Sequence, residues 1–581
     1  NDLNRTMNRE ANLQRLQNEA FDLCIIGGGA SGAGCALDAA LRGLKVALIE
    51  KTDFAAETSS KSTKLIHGGV RYLEQAFKKL DFAQLRQVRH GLEERHIVLQ
   101  NAPHLARPLA LITPVFHWWE NLYFSIGLAL YGWFASGKDN LPKSRRLSKA
   151  ETLRKIPGLT GKIHSAVQYY DGQLDDARYC LALVQSAAEA GAVVVNHLEV
   201  VDFQKDEVGQ LLAAKVNDTI HSRPNAGFHF VQHSSFIIQS KLFLNCGGPF
   251  ADKIRLLANP ALAPRIRPSK GVHVVLPHAV LGSDEALLIP KTKDGRVVFA
   301  IPFEGEVLLG TTDGDFEDID KEPVLEAREV DFLMETLQPF LKEPIEKKYI
   351  KAGFGGLRPL VISTTQQLNN STDNQINNST IQQTKSLLRD HEVEHDPVSN
   401  LFSLLGGKWT TYRLMAKDMV DAVCNNLGIQ AACSTETHTL VGGKGWDGDF
   451  WKKISAKYGF DPDISQHLAL KYGVLAHAPA DLAVEHPVLA ERILPGFPYL
   501  KAEVVYAVRE EMACTLRDFL ARRIRLEITD WEAAIKAAPV VAAIMGSTLG
   551  WTADQQQNEL AGYTDLLEQF KAQANGNHTE R

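Results

Sequence analysis

Cysteine is scarce and poorly placed for metal or disulfide work. The 581 residues include 7 cysteines, at positions 24, 35, 180, 246, 424, 433 and 514. No two of them form a C-x-x-C pair or a zinc spacing, so no metal site is expected. Their odd number and scatter exclude a disulfide framework and predict buried free thiols in a reducing compartment. Excess positive charge is missing too: the net charge of -6 gives no reason to expect nucleic acid as a partner. The most apolar stretch has an uncharged core at 122–137, short of the roughly 20 residues of a spanning helix. Residues 1–20 lack the apolar core of a signal peptide and predict a helix or a loose arm. Asn1 stands where a start methionine is expected, which reads as a trimmed or processed start. No internal repeat is visible.

What is present is a folded-protein composition, 45% hydrophobic and 23% charged, in a chain too long for one core. Two or three domains are expected. The chain is organised around residues 21–50, FDLCIIGGGASGAGCALDAALRGLKVALIE. An apolar run at 21–26 suits a buried parallel strand, and Gly27, Gly29 and Gly32 then fit G-x-G-x-x-G. A helix is predicted over 33–41, closed by Gly43, and a second strand over 46–49 ends on Glu50. Glycines at these points let the backbone turn tightly and approach a pyrophosphate at the helix N-terminus. Gly27, Gly28, Gly29, Ala30, Ser31 and Gly32 are the predicted cradle. Glu50, with Lys51 after it, can take hydrogen bonds from a ribose hydroxyl, whereas a 2′-phosphate there would be repelled. Strand, glycines, helix, strand and acid in one βαβ order predict dinucleotide binding. They leave FAD and NAD both open.

Further along, residues 52–63 are rich in Ser, Thr and Ala and lead into a Gly-Gly turn, a loop suited to lie against a flat ligand. A charged helix is predicted over 78–100. Residues 171–178, DGQLDDAR, are expected to open another, with acids in its first turn. Strands are expected over 193–201, 228–238, 242–245, 272–276, 297–301, 307–310 and 401–405. They alternate with the nucleotide-binding pieces, so two sheets are expected to interleave in sequence. Residues 363–384 are rich in Asn, Gln, Ser and Thr and predict a mobile surface insertion. From about 437 the pattern is helical, with Leu516, Leu520 and Ile524 at helical spacing.

The glycine motif, SSKSTKLIHGGVRYLE at 59–74, GTTD at 310–313, GLRPL at 356–360, RDH at 389–391 and GGKWTTYR at 406–413 together resemble the FAD-dependent glycerol-3-phosphate dehydrogenases, aerobic and quinone-linked. The resemblance implies a mixed α/β fold: a glutathione-reductase-like Rossmann FAD domain, an interleaved antiparallel-sheet substrate domain and a C-terminal helical domain. It places an oxidoreductase region at 1–436 and the helical domain at 437–581. It implies oxidation of sn-glycerol 3-phosphate to dihydroxyacetone phosphate, with FAD as cofactor and quinone as acceptor, where related oxidases use oxygen. For FAD it adds Ser59, Ser60, Thr63, Lys64, Leu65, Gly68 and Gly69 around the pyrophosphate and ring. Cys246, Gly247 and Gly248 fall near the adenosine or ring turn, and Gly407, Lys408, Thr410 and Thr411 close the far end. The Asn/Gln-rich insertion before Arg389 departs from the common pattern.

The chemistry agrees with that implication. A phosphate dianion asks for several fixed cations, and Arg71, Arg358, Arg389 and Lys408 sit in the matching motifs beside Gly or Pro turns. Tyr72 and His273 are neutral donors. His67 is either the general base or a histidine that packs near the flavin. Rival readings are an oxygen-using oxidase with the same site, an FAD amine or amino-acid oxidase, and a non-enzymatic flavoprotein or NAD-binding module. An amine oxidase leaves the cations without a purpose. A cytoplasmic enzyme, peripheral on the inner face of the membrane and homodimeric, is the expected setting.

Residues 116–149 combine Trp118, Trp119, Tyr123, Phe124, Tyr131 and Trp133 with Lys138, Lys143, Arg145, Arg146 and Lys149. Two readings stand side by side: an interfacial membrane anchor, or a helix packed in its own domain. Replacing Trp118, Trp119 and Phe124 with polar residues separates them. An anchor loses liposome co-sedimentation and quinone turnover while keeping turnover with a soluble dye; a core segment loses dye turnover as well.

Overall fold

In the computed structural model the described residues are 7–67, 82–117, 141–220, 235–290, 292, 295–362 and 391–576. Five strands run parallel in the order Val193–Val195, Val46–Ile49, Ala20–Ile26, Ser235–Asn245, Leu401–Gly406. His391–Asp396 closes one edge antiparallel, and the ribbon Leu198–Lys205 with Leu211–Asp218 attaches to Ser235–Asn245. From Leu23 to Ile26 the first strand alternates between two covered faces, which is why that part is apolar, while Asp22 at its half-buried start pairs with Lys241. Leu23 and Ile25 pack with helices Ala30–Leu41, Asp176–Glu189 and Tyr412–Leu427. Cys24 and Ile26 pack on the other side with Leu13 and Leu16 of helix Arg9–Asn18.

A second sheet has ten strands. Near one edge Ile266–Pro277 pairs antiparallel with Ala352–Val361 on one side and Glu306–Gly310 on the other. The sheet is antiparallel apart from one pair: Ala286–Ile289 runs parallel to Ala106–Val115. The chain enters each sheet in turn, as the alternation of strand signals predicts, and this mixed α/β architecture carries a helical C-terminal part.

The C-terminal helices do two different jobs. Those between 450 and 506 bury Phe450, Ile454, Leu468, Tyr472 and Tyr506 among themselves. Later residues, Leu516, Leu520, Trp531, Val541, Met545 and Leu567, join Val272, Val274, Leu308 and Phe354 of the second sheet in one apolar core. Trp531–Leu549 is long and apolar enough to cross a membrane. One face of it, however, is occupied by that core, through Ala534, Ala537, Ala538 and Val541.

Several boundaries differ from expectation for visible reasons. The first helix starts at Ala30, not residue 33, because Gly29 is its N-cap and the small residues after it complete the first turn. DGQL of 171–174 belongs to strand Ser165–Leu174; the helix begins at Asp176 because the Asp175 side chain accepts from Arg178 N at 3.3 Å and caps it. Residues 235–238 and 242–245, expected in two strands, belong to one, Ser235–Asn245, and 228–234 lie outside the described residues. Leu520 lies in a π-helical turn, Asp518–Arg523. All seven cysteines are free, but Cys433 and Cys514 are half-buried instead of fully buried. Gly68, Gly69, Arg71, Tyr72, Arg389, the aromatic stretch 118–140 and the insertion 363–384 lie outside the described residues.

Because helices and sheet share one core, Leu520→Ala should destabilise the protein by about 2–5 kcal/mol. Tryptophan fluorescence and far-UV circular dichroism should report a single denaturant transition for both parts; two separated transitions would contradict a shared core.

Candidate active site

The glycine loop is shaped by contacts that admit no side chain. Gly27 has φ +115°, and a Cβ there would lie 2.5 Å from the Cys246 carbonyl oxygen. One on Gly32 would fall 1.8 Å from Gly27 O. Gly29 caps the helix without a side chain, which leaves the first turn open toward an anion. Glu50 ties the loop to the strand end: its Oε2 accepts from Gly28 N at 2.7 Å, and its Oε1 accepts from Thr52 N at 2.9 Å. Lys51 places its ammonium 3.7 Å over the Phe250 ring, just after Cys246, Gly247 and Gly248.

Residues 58–67 form the loop on which the other motifs converge. Ala30 N donates to Ser59 Oγ at 2.9 Å, joining loop and helix start. From the second sheet, Thr58 Oγ1 donates to Leu357 O at 2.6 Å, and Thr63 Oγ1 lies 3.1 Å from His273 Nε2. From the far end, Trp409 Nε1 donates to Ser59 O at 2.9 Å, and Thr410 Oγ1 donates to His67 O at 3.5 Å. Gly406 and Gly407, with φ +73° and +92°, turn the chain out of strand Leu401–Gly406. A side chain on Gly407 would strike Met415 Cε at 2.3 Å. Lys408 and Thr411 follow in the same turn, half-buried.

Arg358 reaches across strand Ile266–Pro277. A Cβ on Gly271 would sit 2.3 Å from its Nη2, so the guanidinium lies directly over that glycine. It donates to Thr311 Oγ1 at 3.2 Å and Thr312 O at 3.0 Å, and it pairs with Asp313 at 3.2 Å. The side chain remains 30% exposed, enough to meet a ligand. His273 is buried and stacked on Phe354, with ring centroids 4.9 Å apart. Burial, then the charges of Lys64 and Arg358, hold its imidazole well below the usual histidine range, so it is neutral. Its Nδ1 has no hydrogen-bond partner among the described residues. His67, by contrast, is exposed.

Two features escape a reading of the sequence. The Lys64 side chain is fully buried, with Nζ 2.6 Å from Ser60 O and 2.7 Å from Asp176 Oδ2. What Lys64 and the equally buried Leu65 can offer a cofactor is therefore backbone. GTTD supplies the acceptors that orient Arg358, a role its composition of Thr and Asp hints at but does not locate. Among the described residues, His197, Cys514 and Asp518 bring ligand-type atoms within 4.8 Å of one another. Asp518 Oδ2 already accepts from Cys514 N at 2.8 Å and Thr515 N at 3.0 Å, so the group is a hydrogen-bonded knot.

Residues 22–381 match the FAD dependent oxidoreductase family, and residues 433–556 match the C-terminal domain of alpha-glycerophosphate oxidase. The mitochondrial glycerol-3-phosphate dehydrogenase of Arabidopsis thaliana is 36% identical over 98% of this chain and 90% of that protein. The chain belongs to the FAD-dependent glycerol-3-phosphate dehydrogenase family. The mouse mitochondrial enzyme is 38% identical over 96% of this chain and 75% of its own length. Among solved structures, the glycerol-3-phosphate dehydrogenase from Bacillus halodurans complexed with FAD aligns with a TM-score of 0.76 at 27% identity, covering 99% of each chain. The alpha-glycerophosphate oxidase from Mycoplasma pneumoniae with FAD bound shares the fold, at a TM-score of 0.51 and 17% identity over 72% of this chain and 97% of that one. The cofactor of the family is FAD, and the side-chain-free cradle above Gly27–Gly32 with a carboxylate at Glu50 fits it.

A neutral buried histidine sets a sign for pH. The unfolded chain takes a proton on His273 below about pH 6.5 that the folded chain refuses, so folding is disfavoured progressively as pH falls through that value. His104, lowered by burial and by Arg178 to about 3, acts in the same direction. Between pH 7 and 5 each should remove about 2 kcal/mol of stability. Denaturant melts of His273→Gln and His104→Gln should each narrow the pH 7 to 5 difference by that amount; an unchanged difference would mean the imidazoles protonate in the fold.

Proposed function

We propose that this member of the family oxidises sn-glycerol 3-phosphate to dihydroxyacetone phosphate and passes the electron pair to a quinone. The observation that carries the reading is the convergence of four separate elements on residues 58–67: the glycine motif through Ala30, the GLRPL strand through Leu357, the His273 strand, and the GGKWTTYR turn through Trp409 and Thr410. FAD, held by the glycine loop at Gly27–Gly32 and by residues 59–66, would supply the hydride acceptor for the substrate's secondary carbon.

The remaining work belongs to side chains. Arg358 and Lys408, joined by Arg71 and Arg389, bind the phosphate dianion, for which paired N–H donors suit both charge and geometry. Arg358 exchanges part of its hold on Asp313 and Thr311 for the phosphate, which keeps the guanidinium aligned before substrate arrives. Removing a hydride also requires the hydroxyl proton to leave. His67 is assigned as its acceptor because it is exposed and can release the proton to water. His273 is too deeply depressed in basicity for that step and serves as a neutral hydrogen-bonding group beside Thr63. Tyr72 is a second neutral donor. The same reading divides the chain into an oxidoreductase region at 1–436 and a helical domain at 437–581. It also sets the enzyme, as a homodimer, against an inner membrane surface where quinone is available.

Arg358→Ala and Lys408→Ala should lower kcat/KM for glycerol 3-phosphate by roughly tenfold to over a hundredfold, about 1.5–3 kcal/mol per lost charge-assisted bond, and spare free glycerol. Equal losses for both substrates would make these residues structural. Anaerobic glycerol 3-phosphate should bleach the flavin, and a quinone analogue should restore it faster than air; faster recovery in air would favour the oxidase reading.

A further inference from the structure

The loop on which the site is built is gripped from the C-terminal helices. Asp53, fully buried, accepts from Arg522 Nε at 2.6 Å and from Arg523 at 2.7 and 3.0 Å. Further along, Arg525 donates to Ser60 O at 2.8 Å and to Asp176 Oδ1 at 2.8 Å. Asp176 is where the loop folds back on itself: its Oδ2 also accepts from Ser62 N at 3.1 Å, Ser62 Oγ at 2.7 Å and Lys64 Nζ at 2.7 Å. Lys64 and Arg525 thus share the same two acceptors, Ser60 O and Asp176.

This stretch needs an external grip. Ala55 and Lys64 both sit in the left-handed region, at φ +61°, where a side chain is disfavoured, and Arg525 itself sits at φ +68°. Arg525 is wholly buried, so its charge is placed there at a desolvation cost that these contacts offset together with Asp175 at 3.3 Å and Ala521 O at 2.8 Å. We propose that Arg525 is a positioning residue for FAD, holding residues 59–66 in the conformation that receives the cofactor by way of the Ser60 carbonyl and the Asp176 carboxylate. The inference rests on the assignment of that loop to the flavin and extends it to a residue 349 positions away from Asp176 in the chain.

The arrangement has an electrostatic signature. Lys64 is faced by Asp176 and Asp175 from the helix start, by Arg525 from the C-terminal part, and by His273 and the Phe303 and Phe354 rings from the second sheet. Lys471 and Glu304 stand behind Asp175. Burial first, and the Arg525 charge in addition, bring the Lys64 ammonium down to about 7, against the opposing pull of Asp176. Removing Arg525 frees Asp176 for Lys64 and shifts that titration upward.

The test uses full-length apoprotein titrated with FAD, followed by flavin fluorescence across pH 6–9. Arg525→Met should raise the FAD dissociation constant roughly tenfold to a hundredfold, as expected for lost charge-assisted contacts, and move the pH midpoint of binding upward. Arg525→Lys keeps the charge but loses the second guanidinium nitrogen, Nη1, whose bond to Ala521 O at 2.8 Å fixes the direction in which Nη2 meets both acceptors. It should fold, by far-UV circular dichroism, and still bind FAD several-fold more weakly. Asp176→Asn combined with Arg525→Met should lose less than the sum of the two changes. If Arg525→Lys folds and binds FAD with the wild-type constant and midpoint, the proposal is overturned. It is overturned equally if both Arg525 variants fail to fold, since the residue then holds the domain and not the loop. Wild-type apoprotein that takes up no FAD would instead sink the assignment of the loop to flavin.

Discussion

A buried ionic lattice holds this molecule together where its parts meet. Asp53, Asp175, Asp176, Glu511 and Asp518 face Arg178, Arg522, Arg523, Arg525, Lys64 and Lys471, all at or near full burial. Such charges are costly to remove from water, and breaking one pair leaves its partner uncompensated in a low-dielectric interior. The lattice is therefore cooperative in a way an apolar contact is not. It ties helix Asp176–Glu189 and the buried Asp53 to the C-terminal helices, and the loop of residues 52–66 lies between them. The apolar core that Trp531 and Met545 share with Val272 and Leu308 seals the second sheet to the same helices from another side. Grip by charge and grip by burial thus converge on a single loop.

The fold was legible where each residue's surroundings are local. A strand buried on both faces must be apolar, and 23–26 and 46–49 are. A glycine that accepts no side chain leaves its mark in the sequence, as Gly27 and Gly32 do. Boundaries were less legible, since they depend on caps: Asp175 and Gly29 each moved a helix start. The two strand signals at 235–238 and 242–245 hid one strand, because nothing local distinguishes a pause in apolar character from a break in pairing. One parallel pair inside the second sheet leaves no sequence trace at all.

The site was legible as motifs and illegible as partnerships. Arg358 and His273 could be named from their neighbours in sequence. That the guanidinium would lie over Gly271 follows from the register Ser269 to Arg358 across paired strands, and that Thr63 would stand opposite His273 depends on a loop brought in from elsewhere in the chain. Lys64 sits in a run of small polar residues that reads as ligand-facing, yet its side chain turns inward because a carboxylate waits on a helix more than a hundred residues away. A signal was available on the other side: Arg522, Arg523 and Arg525 fall among Leu520, Ala521, Ile524 and Leu526, a basic run at positions too apolar for a solvated face.

The sequence separation of that grip bears on how the protein is made. Asp53 leaves the ribosome early, and the arginines that neutralise it follow 469 and 470 residues later. Synthesis proceeds from the N-terminus at about 5–20 residues per second, so this carboxylate spends on the order of half a minute without its partners. Throughout that interval the glycine loop, its helix and the contacts of Ser62 and Lys64 with Asp176 can form, but Asp53 lacks the charges that balance it. The cofactor's seat thus closes only after the arginines that grip it have been translated, hundreds of residues behind it.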